Sequence, residues 1–182
     1  MNPIFDTVIR NAQVATASDR YIADIGICDG RIVAIGLNLP EGRETFDAAG
    51  RLVTPGGVDA HCHLDQPMTD GSKMADDFVS GTRSAACGGT TTIIPFACQF
   101  KGQSLQEAVD DYHRRAEGKA AIDYAFHLIV SDPTPTVLKE ELPRLVSEGY
   151  TSFKVYMTYD DMKLGDRQIL NLLGVARREG AM

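Results

Sequence analysis

The stretch Val53-Thr54-Pro55-Gly56-Gly57-Val58-Asp59-Ala60-His61-Cys62-His63-Leu64 decides how this chain is read. An apolar approach, a Gly-Gly pair and a polar exit describe a short strand that ends at the protein surface. Alternate residues of a strand share a face, so His61 and His63 project to one side, where two imidazoles can grip one metal ion. Taken in isolation, a His-x-His is more often a pair of half-buried strand-end histidines. Its setting changes the balance, because barrel enzymes keep their chemistry at the C-terminal mouths of such strands.

Downstream of this segment the pattern repeats strand, then helix. Strands are expected over 57–63, 90–96, 122–130 and 151–157, and helices over 74–86, 105–117, 136–147 and 166–178. Ser104 with Glu107 makes a capping box, and Gly149 and Gly180 stand where helices should stop. Upstream, short strands are expected over 7–14, 22–28 and 31–35, with Asp29-Gly30 as a two-residue hairpin turn. The expected fold class is therefore α/β. Residues 55–182 read as the first four βα units of a (β/α)8 TIM barrel, and residues 1–54 as the N-terminal part of a small β-sandwich. Four units are half a barrel, so the chain reads as a fragment or truncated record. A compact four-stranded α/β domain is the structural alternative.

Composition narrows the function classes. The 182 residues are 43% hydrophobic and 24% charged, which is ordinary for a globular chain. Eighteen basic against 25 acidic residues give a net charge of −7, and the basic residues are scattered, which disfavours nucleic acid and anionic membranes as partners. A small polar substrate fits better. The first six residues lack a basic-then-apolar leader, and no run approaches the roughly 20 apolar residues that cross a bilayer, so the expected location is the cytoplasm. Cys28, Cys62, Cys87 and Cys98 are widely spaced and read as reduced core thiols.

Lys154 is the second anomaly. Ser152-Phe153-Lys154-Val155-Tyr156-Met157 reads as a buried strand with a cation in its middle. By period two Ser152, Lys154 and Tyr156 share one face, while Phe153, Val155 and Met157 face the helices. Either Lys154 snorkels to the mouth or pairs with a buried carboxylate, or it is functional. A buried amine tends to lose its charge. The neutral amine can then add carbon dioxide to become a carbamate, an anionic group able to bridge two metal ions.

At this point the sequence resembles the cyclic amidohydrolases, and within them the dihydropyrimidinase and D-hydantoinase group. The resemblance rests on Pro55 through His63, Asp76-Asp77-Phe78 through Gly81-Thr82, Ala85 through Thr92, Asp123-Tyr124, and Ser152-Phe153-Lys154 through Tyr159. It implies two divalent metal ions, usually zinc, with His61 and His63 on one ion and an N6-carboxylated Lys154 bridging both. It implies that Tyr159 binds the substrate carbonyl and acts in catalysis by steadying the developing oxyanion. The remaining ligands of the family, two histidines and an aspartate, have no counterpart in this sequence. His113, in a charged helix and expected to face solvent, and His127, with an expected structural role, are not substitutes; Asp65 is expected to cap a loop rather than brace an imidazole.

The implied activity is hydrolysis of the cyclic amide bond of dihydropyrimidines or 5-substituted hydantoins to N-carbamoyl amino acids by a metal-bridging hydroxide. The alternatives are an allantoinase, a dihydroorotase, or a non-catalytic dihydropyrimidinase-like scaffold. The implied assembly is a homotetramer. Relatives often carry Asp where this chain has Pro95, and the loop 64–73 also departs, so ring preference is less constrained than chemistry.

Overall fold

The computed structural model describes residues 5–68 and 71–182, and divides the chain into two compact units, Met1–Pro55 and Gly56–Met182. Thr69 and Asp70, within the departing loop, lie outside the described residues.

The first unit is one five-stranded sheet. β1 (Thr7–Ala15), β2 (Arg20–Cys28) and β3 (Arg31–Gly36) form an antiparallel meander, and β4 (Glu44–Asp47) and β5 (Leu52–Val53) pair parallel to β1. Asp29 and Gly30 both have positive φ (48° and 70°), which the two-residue turn joining twisted strands requires. A bulge in β1 between Ile9 and Ala12 leaves Asn11 at φ 54°. The buried Asp24 carboxylate accepts the Asn11 N–H at 3.0 Å and the Leu39 N–H at 3.1 Å, so the bulge is hydrogen-bonded rather than strained open. β4 and β5 escaped the sequence reading because β4 is exposed throughout and β5 has two residues.

In the second unit five parallel strands pair in chain order. β6 (Gly57–Cys62) lies beside β7 (Thr90–Cys98), β7 beside β8 (Asp123–Tyr124) and β9 (His127–Ile129), and β9 beside β10 (Phe153–Lys154). The backbone of Met182 continues this order, donating to Thr151 O at 2.8 Å and accepting from Phe153 N at 2.7 Å. Helices α1 (Phe78–Cys87), α2 (Leu105–Ala116), α3 (Leu142–Ser147) and α4 (Asp166–Glu179) follow β6, β7, β9 and β10 in turn. Each buries a stripe at helical spacing, such as Leu105, Ala108, Val109, Tyr112 and Ala116 on α2. The sheet is curled. His127 on β9 reaches the Ala60 carbonyl on β6 at 2.9 Å, across the intervening β7. In a flat sheet those strands would stand about 9.6 Å apart, beyond the reach of an imidazole.

Four expected boundaries differ, each for a local reason. Helix α1 begins at Phe78 instead of residue 74 because the Asp77 carboxylate caps it, accepting from Val79 N and Ser80 N. The third strand is split, and the gap between β8 and β9 falls opposite Ile94 and Pro95 of β7. Pro95 has no N–H to give, and the β6–β7 register also shifts between Asp59 and Cys62, where Cys62 faces Pro95. The third helix opens with a π-helical turn, Val137–Glu141, before α3, because Pro143 cannot supply its own helical N–H. β10 pairs over only two residues, since the chain turns back after it and Leu164 N bonds Tyr156 O at 2.9 Å.

Among the described residues no helix is long and apolar enough to cross a membrane. Gly81 of α1 packs flush on the buried Leu64, which follows His63, and a Cβ there would run into the Leu64 side chain. Gly81→Ala is expected to destabilise the protein by about 1–3 kcal/mol through overpacking. Urea unfolding checks this, and an unchanged midpoint would show that Leu64 yields freely.

Candidate functional site

β6 delivers His61 and His63 to the C-terminal edge of the parallel sheet, where both are exposed. Their ring centroids are 5.5 Å apart. The strand end is set by the Asp59 carboxylate, which accepts the His61 N–H at 3.0 Å. Cys62, between them, points to the other face and packs on the core under the helices.

Phe96, at the end of β7 and 5% exposed, is the floor of the site. Its ring centroid lies 4.9 Å from that of His61, 5.1 Å from His63 and 5.0 Å from His127. The ammonium of Lys154 sits 5.5 Å from the same centroid and 5.4 Å from that of Tyr156, within cation–π range of both. Lys154 is half-buried, and among the described residues its ammonium has no hydrogen bond or ion pair. The carboxylate pairing that would have made it purely structural is thus not formed among these residues. Phe153 and Val155 pack against the core, as period two required, but Met157 is 72% exposed and leaves the helix-facing set. His61 and Lys154 line one open cleft of about 200 Å³ together with Ala60, Phe96, His127 and Ser152.

Tyr159 stands apart from this cleft. It is 64% exposed, on the turn after β10, and its ring meets that of Tyr156 edge-on at 5.1 Å. Its backbone carbonyl accepts from Met162 N and Lys163 N, which fixes the turn. With Gln66, Met68, Cys98, Phe100 and Tyr156 it borders a second, mainly apolar cleft of about 370 Å³. Gln66 links the two regions, since its side-chain oxygen accepts the Nδ1 proton of His63 at 2.5 Å.

The other histidines are spoken for. His127 donates from Nε2 to Ala60 O, and its Nδ1 accepts from the Ser152 hydroxyl at 2.5 Å. It joins three strand segments and has no nitrogen free for a metal. His113 does not face solvent: it is half-buried, bonded to the Tyr150 hydroxyl at 2.6 Å, with its ring 5.1 Å from Phe126. The Arg-rich neighbours that suggested exposure occupy other faces of α2. Among the described residues the compact His, Cys and carboxylate group is Asp6, Cys28 and Asp29 in the first unit, where Asp6 already pairs with Arg43 at 3.4 Å.

Sequence reasoning passed over Phe96 and Gln66, and placed Ser152 on the face of Lys154 without its bond to His127. Phe96 was legible in principle, because a strand expected to end at 96 puts that side chain at the mouth. Gln66 carried no signal, since its reach to His63 depends on a loop conformation. Asp65, the residue considered there, braces the loop through Arg115 at 3.3 Å and does not touch an imidazole in the hydrogen-bond network.

No family model matches the chain. Individual relatives do. It is 49% identical over 178 residues to a D-hydantoinase of Geobacillus stearothermophilus, covering 96% of this chain and 37% of that protein. It is 37% identical to the dihydropyrimidinase of Rattus norvegicus, covering 100% of this chain and 36% of that one. A solved D-hydantoinase structure superposes with a TM-score of 0.92 at 46% identity, over 97% of this chain and 38% of that chain. The chain thus spans less than two fifths of the length of these relatives.

All four cysteines are free, but Cys87 is exposed and Cys28 packs into neither apolar core, so only Cys62 and Cys98 match the expectation of core thiols. Burial pushes the Cys98 thiol up to about 11; burial, with the Asp59 charge adding to it, does the same for Cys62. Only the thiolate is alkylated, so at pH 8 roughly one in a thousand of these two groups is reactive, rising tenfold per pH unit. Iodoacetamide at pH 8 is expected to label Cys87 first; mass spectrometry showing Cys62 or Cys98 labelled as fast would contradict their burial.

Proposed function

Because the chain belongs to the family of D-hydantoinases and dihydropyrimidinases, whose N-terminal part it matches, we propose that it contributes half of a metal-dependent active site that opens the cyclic amide ring of hydantoins and dihydropyrimidines. The observation that carries this reading is the convergence of His61, His63 and an unpaired Lys154 on the ring of Phe96. The fold that would complete it is the (β/α)8 barrel, with these strands as its first part. Their pairing in chain order supports that reading, since a doubly wound sheet reverses its order at the middle. The sheet of the first unit would form one layer of a β-sandwich.

The donor set suits two divalent ions of the zinc type. The two imidazoles share a face, and among the described residues Lys154 is not engaged in an ion pair that a carbamate would have to break. Deprotonated, its amine can add carbon dioxide, forming an N–C bond and releasing a proton, to leave a carbamate whose two oxygens each present a ligand. Ions held there would lower the pKa of water toward neutrality and so supply the nucleophile.

The remaining work falls to the protein. Phe96 and Tyr156 flank the Lys154 ammonium, at 5.5 Å and 5.4 Å from their ring centroids, and hold it at the cleft that His61 also lines. The Tyr159 hydroxyl, at the rim of the apolar cleft, would donate to the ring carbonyl oxygen as that oxygen gains charge. The Met68, Cys98, Phe100 and Tyr156 walls offer an apolar seat for a ring substituent. On the family resemblance the intact enzyme is a cytoplasmic homotetramer.

Tyr159→Phe is expected to lower turnover of hydantoin or dihydrouracil by about 10²- to 10³-fold with metal content unchanged. Unaltered turnover would remove Tyr159 from the reaction. Lys154→Ala is expected to lose one metal ion per site by elemental analysis; full occupancy in that variant would refute the carbamate.

A further inference from the structure

We propose that Gln66 is a positioning residue that selects the tautomer and orientation of His63, an inference that rests on the reading of His63 as a metal ligand. An imidazole can coordinate through only the nitrogen that lacks a proton, and the partner of the other nitrogen decides which one that is. The Gln66 side-chain oxygen lies 2.5 Å from Nδ1 of His63. A carbonyl oxygen can only accept, so Nδ1 carries the proton and the lone pair is left on Nε2. The ring is also nearly parallel to Phe96, with 21° between planes, so its rotation is restrained from one face while the hydrogen bond fixes its edge.

This arrangement is built by the loop that follows the strand. Leu64 is buried under Gly81. Asp65 adopts a left-handed conformation, φ 48°, and donates its N–H to Asp76 O at 3.0 Å. Arg115 of α2 then clamps it, donating from Nη1 to the Asp65 carbonyl at 3.0 Å and approaching its carboxylate at 3.3 Å. Arg115 is itself held by Asp111, Nε to Oδ2 at 2.7 Å. With Leu64 and Asp65 anchored, the chain turns so that Gln66 points back at His63. The clamp thus reaches from α2 to the imidazole through backbone geometry, with no direct contact between Arg115 and His63 in the hydrogen-bond network. His61 has no such side-chain partner among the hydrogen bonds of the described residues, only the backbone bond to Asp59. Within the pair, His63 is the histidine whose ring is set in advance.

The test uses the intact metal-free protein with ¹⁵N-labelled histidine, read by imidazole ¹⁵N–¹H correlation, together with zinc titration against a competing chelator. His63 is expected to show a single Nδ1–H tautomer. Gln66→Ala is expected to lose that signature and to bind zinc roughly 10- to 100-fold more weakly. Gln66→Glu, which still accepts the Nδ1 proton, is expected to keep the tautomer and to bind zinc within about threefold of the parent, well inside the loss expected when the hydrogen-bond partner of a ligating imidazole is removed. A Gln66→Ala protein with the parental tautomer and zinc affinity would overturn the proposal, as would an Nε2–H tautomer in the parent. His63→Ala separates this failure from that of the underlying reading. If that variant loses zinc while Gln66→Ala does not, only the role of Gln66 falls; if it binds zinc as the parent does, His63 is no ligand and both readings fall.

Discussion

The imidazole of His127 is hydrogen-bonded at both ends, to the Ala60 carbonyl on β6 and to the Ser152 hydroxyl just before β10. Much of the candidate site depends on that span. By drawing β6 toward β9 across β7, it curls the sheet so that residues on non-adjacent strands face each other. In a flat sheet His61 and Lys154 would sit on strands separated by two others and could not line one cleft. Two net hydrogen bonds, each worth about 0.5–1.5 kcal/mol, are modest beside the apolar core under the helices. Their weight lies in direction, because the core can bury its Leu, Ile and Val side chains at several curvatures and His127 selects one.

Phe96 plays the complementary part. A ring with a negative face and positive edge can accept a cation above it and other rings beside it. Here it meets three imidazoles and one ammonium within 4.9–5.5 Å. It spaces these groups without hydrogen-bonding any of them, which leaves His61 and Lys154 chemically available. Polar residues in its place would have paired with them. The site therefore combines an apolar floor with polar braces placed behind the two histidines: Asp59 at the His61 backbone and Gln66 at the His63 ring.

Pro95 shows how one residue can shape its surroundings without touching the chemistry. Without an N–H it can give no hydrogen bond to the third strand, which is split opposite it, and the register of β7 against β6 also shifts near Cys62. The break lies one residue before Phe96.

Local chemistry in the sequence determined a good deal. The Asp29-Gly30 turn, the Ser104–Glu107 capping box and the Gly180 helix stop were readable because each is settled by residues within a few positions of one another. The alternation that puts His61 and His63 on one face, and Lys154 opposite Phe153, was readable for the same reason, since strand period is a property of the backbone. What only the tertiary structure decided was which of these faces meet. The exposure of His113, the bond from Gln66 to His63, the role of Phe96 as common floor and the engagement of both His127 nitrogens all arise from groups far apart in the chain or from a left-handed loop residue. Such contacts depend on curvature and loop path, set by many weak interactions at once, and no short window of sequence contains them.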